Sequence, residues 1–167
     1  MPGHPRRLEP TDYRGYRAYS LTICTHNRAP FFTDSSIVHQ TLRQFLRTAA
    51  DERCEILVYC FMPDHVHIVV IAHADGSDLQ RFVRVAKQRA GYAFKRVTGR
   101  RLWQESYFDR TIRKVDELPA LVDYIVRNPL RTGLVKEPAD YPHWGSQRHS
   151  REELLEFVAS GRSIRGR

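Results

Sequence analysis

The chain predicts an α+β fold, an antiparallel sheet with helices packed on one face. Three features carry that expectation. Two apolar runs, 54–62 and 65–73, are separated by only two residues, as in a tight hairpin. Apolar residues elsewhere recur at three-and-four spacing, the mark of amphipathic helices. The resulting order, β-α-β-β-α-β-α with a C-terminal appendix, suits a sheet whose helices stay to one side. At 167 residues, with 41% hydrophobic and 28% charged side chains, the chain has the size and balance of one globular domain rather than of a disordered polymer. We expect a single domain over 1–146 with a loose N-terminal arm (1–16), then a C-terminal helix and basic tail over 147–167.

Each element has a local reason. Residues 17–25 are rich in strand formers and set Tyr19, Leu21 and Ile23 on one face. Asp34 or Ser35 can cap a helix over 36–52 whose stripe is Ile37, Val38, Leu42, Phe45, Leu46 and Ala49. The runs 54–62 and 65–73 are apolar on both faces, as central strands are, and Pro63-Asp64 is a natural turn between them. Ser77-x-x-Gln80 reads as a capping box. It opens a long helix with Leu79, Phe82, Val83, Ala86, Ala90, Ala93, Phe94 and Val97 inward. Residues 106–115 are a further strand. Asp116 can cap a helix over 117–128, which Pro129 should stop. Ser150-x-x-Glu153 is a second capping box, for a helix over 151–160 that Gly161 ends. This is the arrangement of a ferredoxin-like, split βαβ sheet.

Composition narrows the function. Lysine plus arginine is 27 against 19 acids, a net charge of +8, and 23 of the 27 are arginines. Arginine grips phosphate bidentately and stacks on bases, so a polyanionic partner, most often nucleic acid, is favoured. Three cysteines with no C-x-x-C pair argue against a disulfide scaffold or zinc ribbon. No apolar run is long enough for a membrane-spanning helix, and the first residues lack the apolar stretch of a secretory signal. We expect no membrane partner and a cytoplasmic, nucleoid-associated location.

Two places can carry chemistry. His65 and His67 are two apart on a strand, so their imidazoles share a face and form a two-point metal grip. Two incidental strand histidines are the plain alternative. Tyr124 and Asn128 are four apart on a helix, on the flank of the stripe Leu118, Leu121, Val122 and Ile125. By position alone they read first as a packing tyrosine and a helix-stop asparagine.

Taken together, these stretches resemble a known family. Tyr59-Cys-Phe-Met-Pro-Asp-His-Val-His-Ile-Val-Val resembles the His-hydrophobe-His signature of the single-tyrosine transposases. Tyr124-Ile-Val-Arg-Asn-Pro-Leu-Arg-Thr-Gly-Leu-Val resembles the nucleophile helix of their REP-associated branch. Leu21-Thr-Ile-Cys-Thr-His-Asn-Arg, Leu102-Trp-Gln-Glu-Ser-Tyr-Phe-Asp-Arg-Thr-Ile-Arg and, less closely, Tyr141-Pro-His-Trp-Gly-Ser match the same branch in the same order.

The resemblance implies an HUH endonuclease-like fold and a metal-dependent DNA strand transferase. His65, His67 and the Asn128 side-chain oxygen would hold Mg²⁺ or Mn²⁺. Tyr124 would be the nucleophile, forming a 5′-phosphotyrosine on single-stranded DNA beside a hairpin. Arg81, Arg84, Lys87, Arg89, Arg110 and Arg113 would grip phosphates. Asp64 and Glu105 are either additional ligands or turn and cap residues. A monomer is expected, with a dimer as the alternative. The competing function is a non-catalytic nucleic-acid-binding relative of the transposases.

Overall fold

The computed structural model describes residues 17–73, 77–112 and 117–161. Five strands and four helices follow one another in the order β1 (Ala18–Cys24), α1 (Ser35–Asp51), β2 (Cys54–Met62), β3 (His65–Ala72), α2 (Leu79–Thr98), β4 (Phe108–Ile112), α3 (Leu118–Arg131), β5 (Trp144–Gly145) and α4 (Arg151–Ala159). The strands form one antiparallel sheet ordered β4-β1-β3-β2-β5. The expected α+β class and antiparallel sheet are therefore present, and the Pro63-Asp64 turn closes the central hairpin with Met62 opposite His65.

The helices, however, divide between the two faces. On one face Tyr19, Leu21, Ile23, Val66, Ile68 and Val70 meet Val38 and Phe45 of α1 and Phe82, Val83, Ala86 and Ala90 of α2. On the other, Val58, Cys60, Met62, Val69 and Ile71 meet Val122, Ile125 and Val126 of α3 and Leu154 and Val158 of α4. The reason lies in β2 and β3, which are apolar on both faces. Leaving one face bare would forfeit about 1.5–3 kcal/mol for each large side chain left in water.

Three local expectations shift. Asp78, not Ser77, caps α2, its carboxylate accepting from the Arg81 amide at 3.1 Å. Val97 is 73% exposed and does not join the buried stripe of α2, which ends at Phe94. Pro129 does not end α3, which runs to Arg131. A proline this close to the C-terminus removes one backbone bond only. The Thr132 amide still closes onto Asn128 O at 3.1 Å, and Gly133 (φ +79°) then turns the chain.

The C-terminal segment docks as a short fifth strand that the sequence reading lacked. Trp144 pairs with Cys60, Tyr141 Oη donates to Phe61 O at 2.5 Å, and Arg151 donates to Trp144 O (2.8 Å) and Tyr141 O (2.9 Å) while stacking on the Trp144 ring. The second capping box is as expected, with Ser150 accepting from the Glu153 amide. The expected arm over 1–16, the Asp116 cap, Arg113 and the tail beyond 161 lie outside the described residues.

Candidate nucleic-acid processing site

The β2–β3 hairpin is held at its turn by the end of β1 and by the loop that follows it. Thr25 N donates to Asp64 O (2.9 Å) and Phe32 N to Pro63 O (3.0 Å), so the residues that follow the turn are fixed in place. The pleat then directs His65 and His67 to the face covered by α3. Their Nε2 atoms are 3.1 Å apart and the rings stand at 88°.

Each ring is oriented from behind. His65 Nδ1 donates to Asp64 Oδ1 at 2.7 Å, which orients the ring with its Nε2 toward that of His67. The other carboxylate oxygen of Asp64 pairs with Arg28 Nε at 3.0 Å. Burial pushes the Asp64 carboxyl up, but the His65 hydrogen bond and Arg28 outweigh it and hold it below the usual range. His67 Nδ1 is 3.0 Å from Thr22 Oγ1. A hydroxyl can donate or accept, so Thr22 supports either tautomer of His67. Burial, followed by the charges of His65, Arg131 and Arg28, lowers the His67 imidazole to about 4. It is therefore neutral at pH 7, the form in which imidazole binds metals.

α3 brings the second half. Val122, Ile125 and Val126 bury one stripe of the helix against β2, which leaves Tyr124 on the flank beside β3. The Tyr124 ring, 48% exposed, stands edge-on to His67 with centroids 6.3 Å apart. Arg131 covers its other side. Asn128, one turn along on the same side, is only 6% exposed. Among the described residues none hydrogen-bonds its side-chain amide.

The expected phosphate-binding residues do not join this cluster. Arg81, Arg84, Lys87 and Arg89 lie on α2, which covers the opposite face of the sheet. Arg81 pairs with Glu52 (2.9 Å) and Arg89 with Asp51 (2.7 Å). Lys87 donates to Gln104 O (3.1 Å) and Glu105 O (3.2 Å). Arg81, Arg84, Lys87 and Tyr107 line a cleft of about 560 Å³ there. Of the expected residues that the structure describes, Arg110 alone is on the histidine face, paired with Glu117. Glu105 is 89% exposed and faces Arg101, away from the histidines.

Sequence reasoning missed Thr22, Arg28 and Arg131, and gave Asp64 no orienting role. Thr22, Arg28 and Arg131 all lie inside the stretches that carried the resemblance, which is the one signal that pointed near them.

The profile of the family described as "Transposase IS200 like" matches residues 16–128. The chain belongs to the IS200-like transposase family. It is similar to the REP-associated tyrosine transposase of Escherichia coli (strain K12), with 28% identity over 139 residues, covering 79% of this chain and 80% of the relative. A putative REP-associated tyrosine transposase of Haemophilus influenzae is 24% identical over 155 residues, covering 81% and 83% of the two chains. The fold resembles that of a REP-associated tyrosine transposase solved bound to a REP hairpin. The TM-score is 0.71 at 22% identity, over 85% of this chain and 81% of that one. This IS200-like chain has, among its described residues, no cluster of three or more His, Cys, Asp or Glu side chains able to hold a metal, and no helix long and apolar enough to cross a membrane.

Proposed function

We propose that this IS200-like transposase is a metal-dependent, single-stranded DNA endonuclease and strand transferase with Tyr124 as nucleophile. The observation that carries the reading is the Tyr124 ring set edge-on to His67, whose Nε2 faces that of His65 at 3.1 Å. Two nitrogens at about 2.1 Å from one cation, at right angles, would be about 3 Å apart, so the pair is already spaced for a shared ion. The donor set fits too: two imidazoles, that of His67 neutral at pH 7, and the buried Asn128 amide with no other described hydrogen-bond partner. His65, His67 and Asn128 would hold Mg²⁺ or Mn²⁺. The ion would act as a Lewis acid on a phosphate oxygen and offset charge in the transition state.

The protein's own part follows from the geometry. Tyr124 Oη attacks phosphorus, the bond to the 3′ oxygen breaks, and that oxygen leaves as a 3′-hydroxyl after taking up a proton. The product is a 5′-phosphotyrosine. A second 3′-hydroxyl can reverse the step and join strands, with no nucleotide triphosphate needed. Half-exposure lets Tyr124 reach a backbone that bends into the site, which favours single-stranded DNA. The relative solved bound to a REP hairpin supports a hairpin as substrate, and the bendable backbone that Tyr124 needs would lie in a single-stranded flank.

The test is a labelled hairpin library drawn from repeats beside the gene, incubated with protein and Mn²⁺ or Mg²⁺ and run on a denaturing gel. A covalent adduct lost with Tyr124→Phe and with EDTA is expected. Tight binding without an adduct in either metal would instead favour a non-catalytic binding protein.

A further inference from the structure

On the sheet face beside the histidines α3 packs on β2, and along β4 Ile112 is buried while Phe108 and Arg110 stay exposed. Thr22 is paired with His67 on one side and with Phe108 on the other, so His67, Thr22 and Phe108 form one row across three strands with their side chains on one face. Two strand spacings put the ends of that row about 10 Å apart. Phe108 is 41% exposed, and a large aromatic ring left in water on an edge strand adds little to folding.

The surroundings of Phe108 indicate what it could meet. Thr22 and Ser20 of β1 lie between Phe108 and Arg110 of β4 and the histidine strand β3, with Arg110 two residues along β4 on the same face as Phe108. The Arg110 side chain is 68% exposed and that of Arg28, which pairs with Asp64 beside His65, is 54% exposed. Glu117 and Asp64 are paired to those two arginines, within a chain of net charge +8. A strand that alternates anionic phosphates with flat apolar bases is complementary to an exposed ring beside these arginines. A duplex is not, because its base faces are already stacked on one another.

We propose that Phe108 is a stacking platform for an unpaired nucleobase flanking the phosphate that Tyr124 attacks. The inference rests on the nucleophile reading above for the identity of that phosphate. It adds a base-binding subsite on β4 that holds the single strand across the histidines.

The test uses fluorescein-labelled hairpins from the repeats beside the gene, with and without a single-stranded flank, titrated with full-length protein in EDTA. Phe108→Ala and Phe108→Leu should weaken binding of the flanked hairpin roughly 5- to 100-fold. Binding of the flankless hairpin should not change, and Phe108→Trp should restore the flanked complex. An abasic nucleotide placed along the flank should identify one position at which wild type and Phe108→Ala bind alike. Equal loss on both hairpins, a leucine as good as phenylalanine, no loss at all, or no wild-type binding would each overturn the proposal. No bond is cut in EDTA, so failure of the adduct experiment would leave this result standing, and the reverse also holds.

Discussion

The Arg131 guanidinium lies 3.7 Å from the centre of the Tyr124 ring and donates to the Tyr124 carbonyl at 2.6 Å. One side chain thus grips both the ring and the backbone of the same residue, seven positions earlier. An exposed tyrosine would otherwise sample several rotamers, and a reaction needs one of them. Arg131→Gln should lower the rate of adduct formation about 10-fold or more while hairpin affinity changes less than about threefold. Arg131→Lys keeps the charge without the planar stack and should recover only part of the rate. Single-turnover kinetics and equilibrium binding separate the two quantities.

The groups behind the histidines should tune metal affinity. His65→Ala or His67→Ala should abolish Mn²⁺ binding measured by calorimetry. Asp64→Asn loses the carboxylate that orients His65 Nδ1 and should weaken binding roughly 10- to 100-fold, as orienting partners of metal ligands do elsewhere. Thr22→Val removes the hydroxyl that supports His67 and should act in the same direction.

The lowered His67 value has a consequence for acid stability. Folding favours the neutral ring, so the unfolded chain takes up the proton first. The contribution of His67 is fully present above about 6.5 and is lost as pH falls toward about 4. In that window the metal-free protein should lose about 2–3 kcal/mol through this group. Urea unfolding from pH 7 to pH 4 should show a flatter profile for His67→Gln than for the wild type.

Arg151 is one of the side chains that dock the C-terminal segment. Arg151 donates to Trp144 O and Tyr141 O and stacks on Trp144 at 3.9 Å. Arg151→Ala leaves these carbonyls unpaired and should destabilise the fold by about 1–3 kcal/mol. Gly145→Ala should also destabilise, because a Cβ there would lie 2.7 Å from Tyr59 Oη. Chemical denaturation of both variants measures the effect.

The central hairpin was legible because its signals are local. Both strands are marked by apolar runs, and Pro63-Asp64 marks the turn between them. The histidine face followed from the period of two along β3. The division of helices between faces was less legible. The doubly apolar strands demanded a cover on both sides, but nothing local to α3 said which face it would take. β5 is two residues long and owes its place to Arg151 and the Tyr141 hydroxyl, which are tertiary contacts. Arg28 reaches Asp64 through left-handed backbone at Asn27 (φ 53°) and at Arg28 itself (φ 54°), a conformation that no periodicity foretells. On α2 the arginines were correctly read as the helix's polar side, but that side faces away from the histidines.

Peptide mapping of the covalent adduct tests the central claim most directly. Protein trapped on a hairpin with Mn²⁺ would be digested with trypsin and nuclease and sequenced by mass spectrometry. We expect a 5′-phosphonucleotide on Tyr124, within the peptide spanning 115–127. A nucleotide on any other residue, or an adduct that persists in Tyr124→Phe, would contradict Tyr124 as the nucleophile.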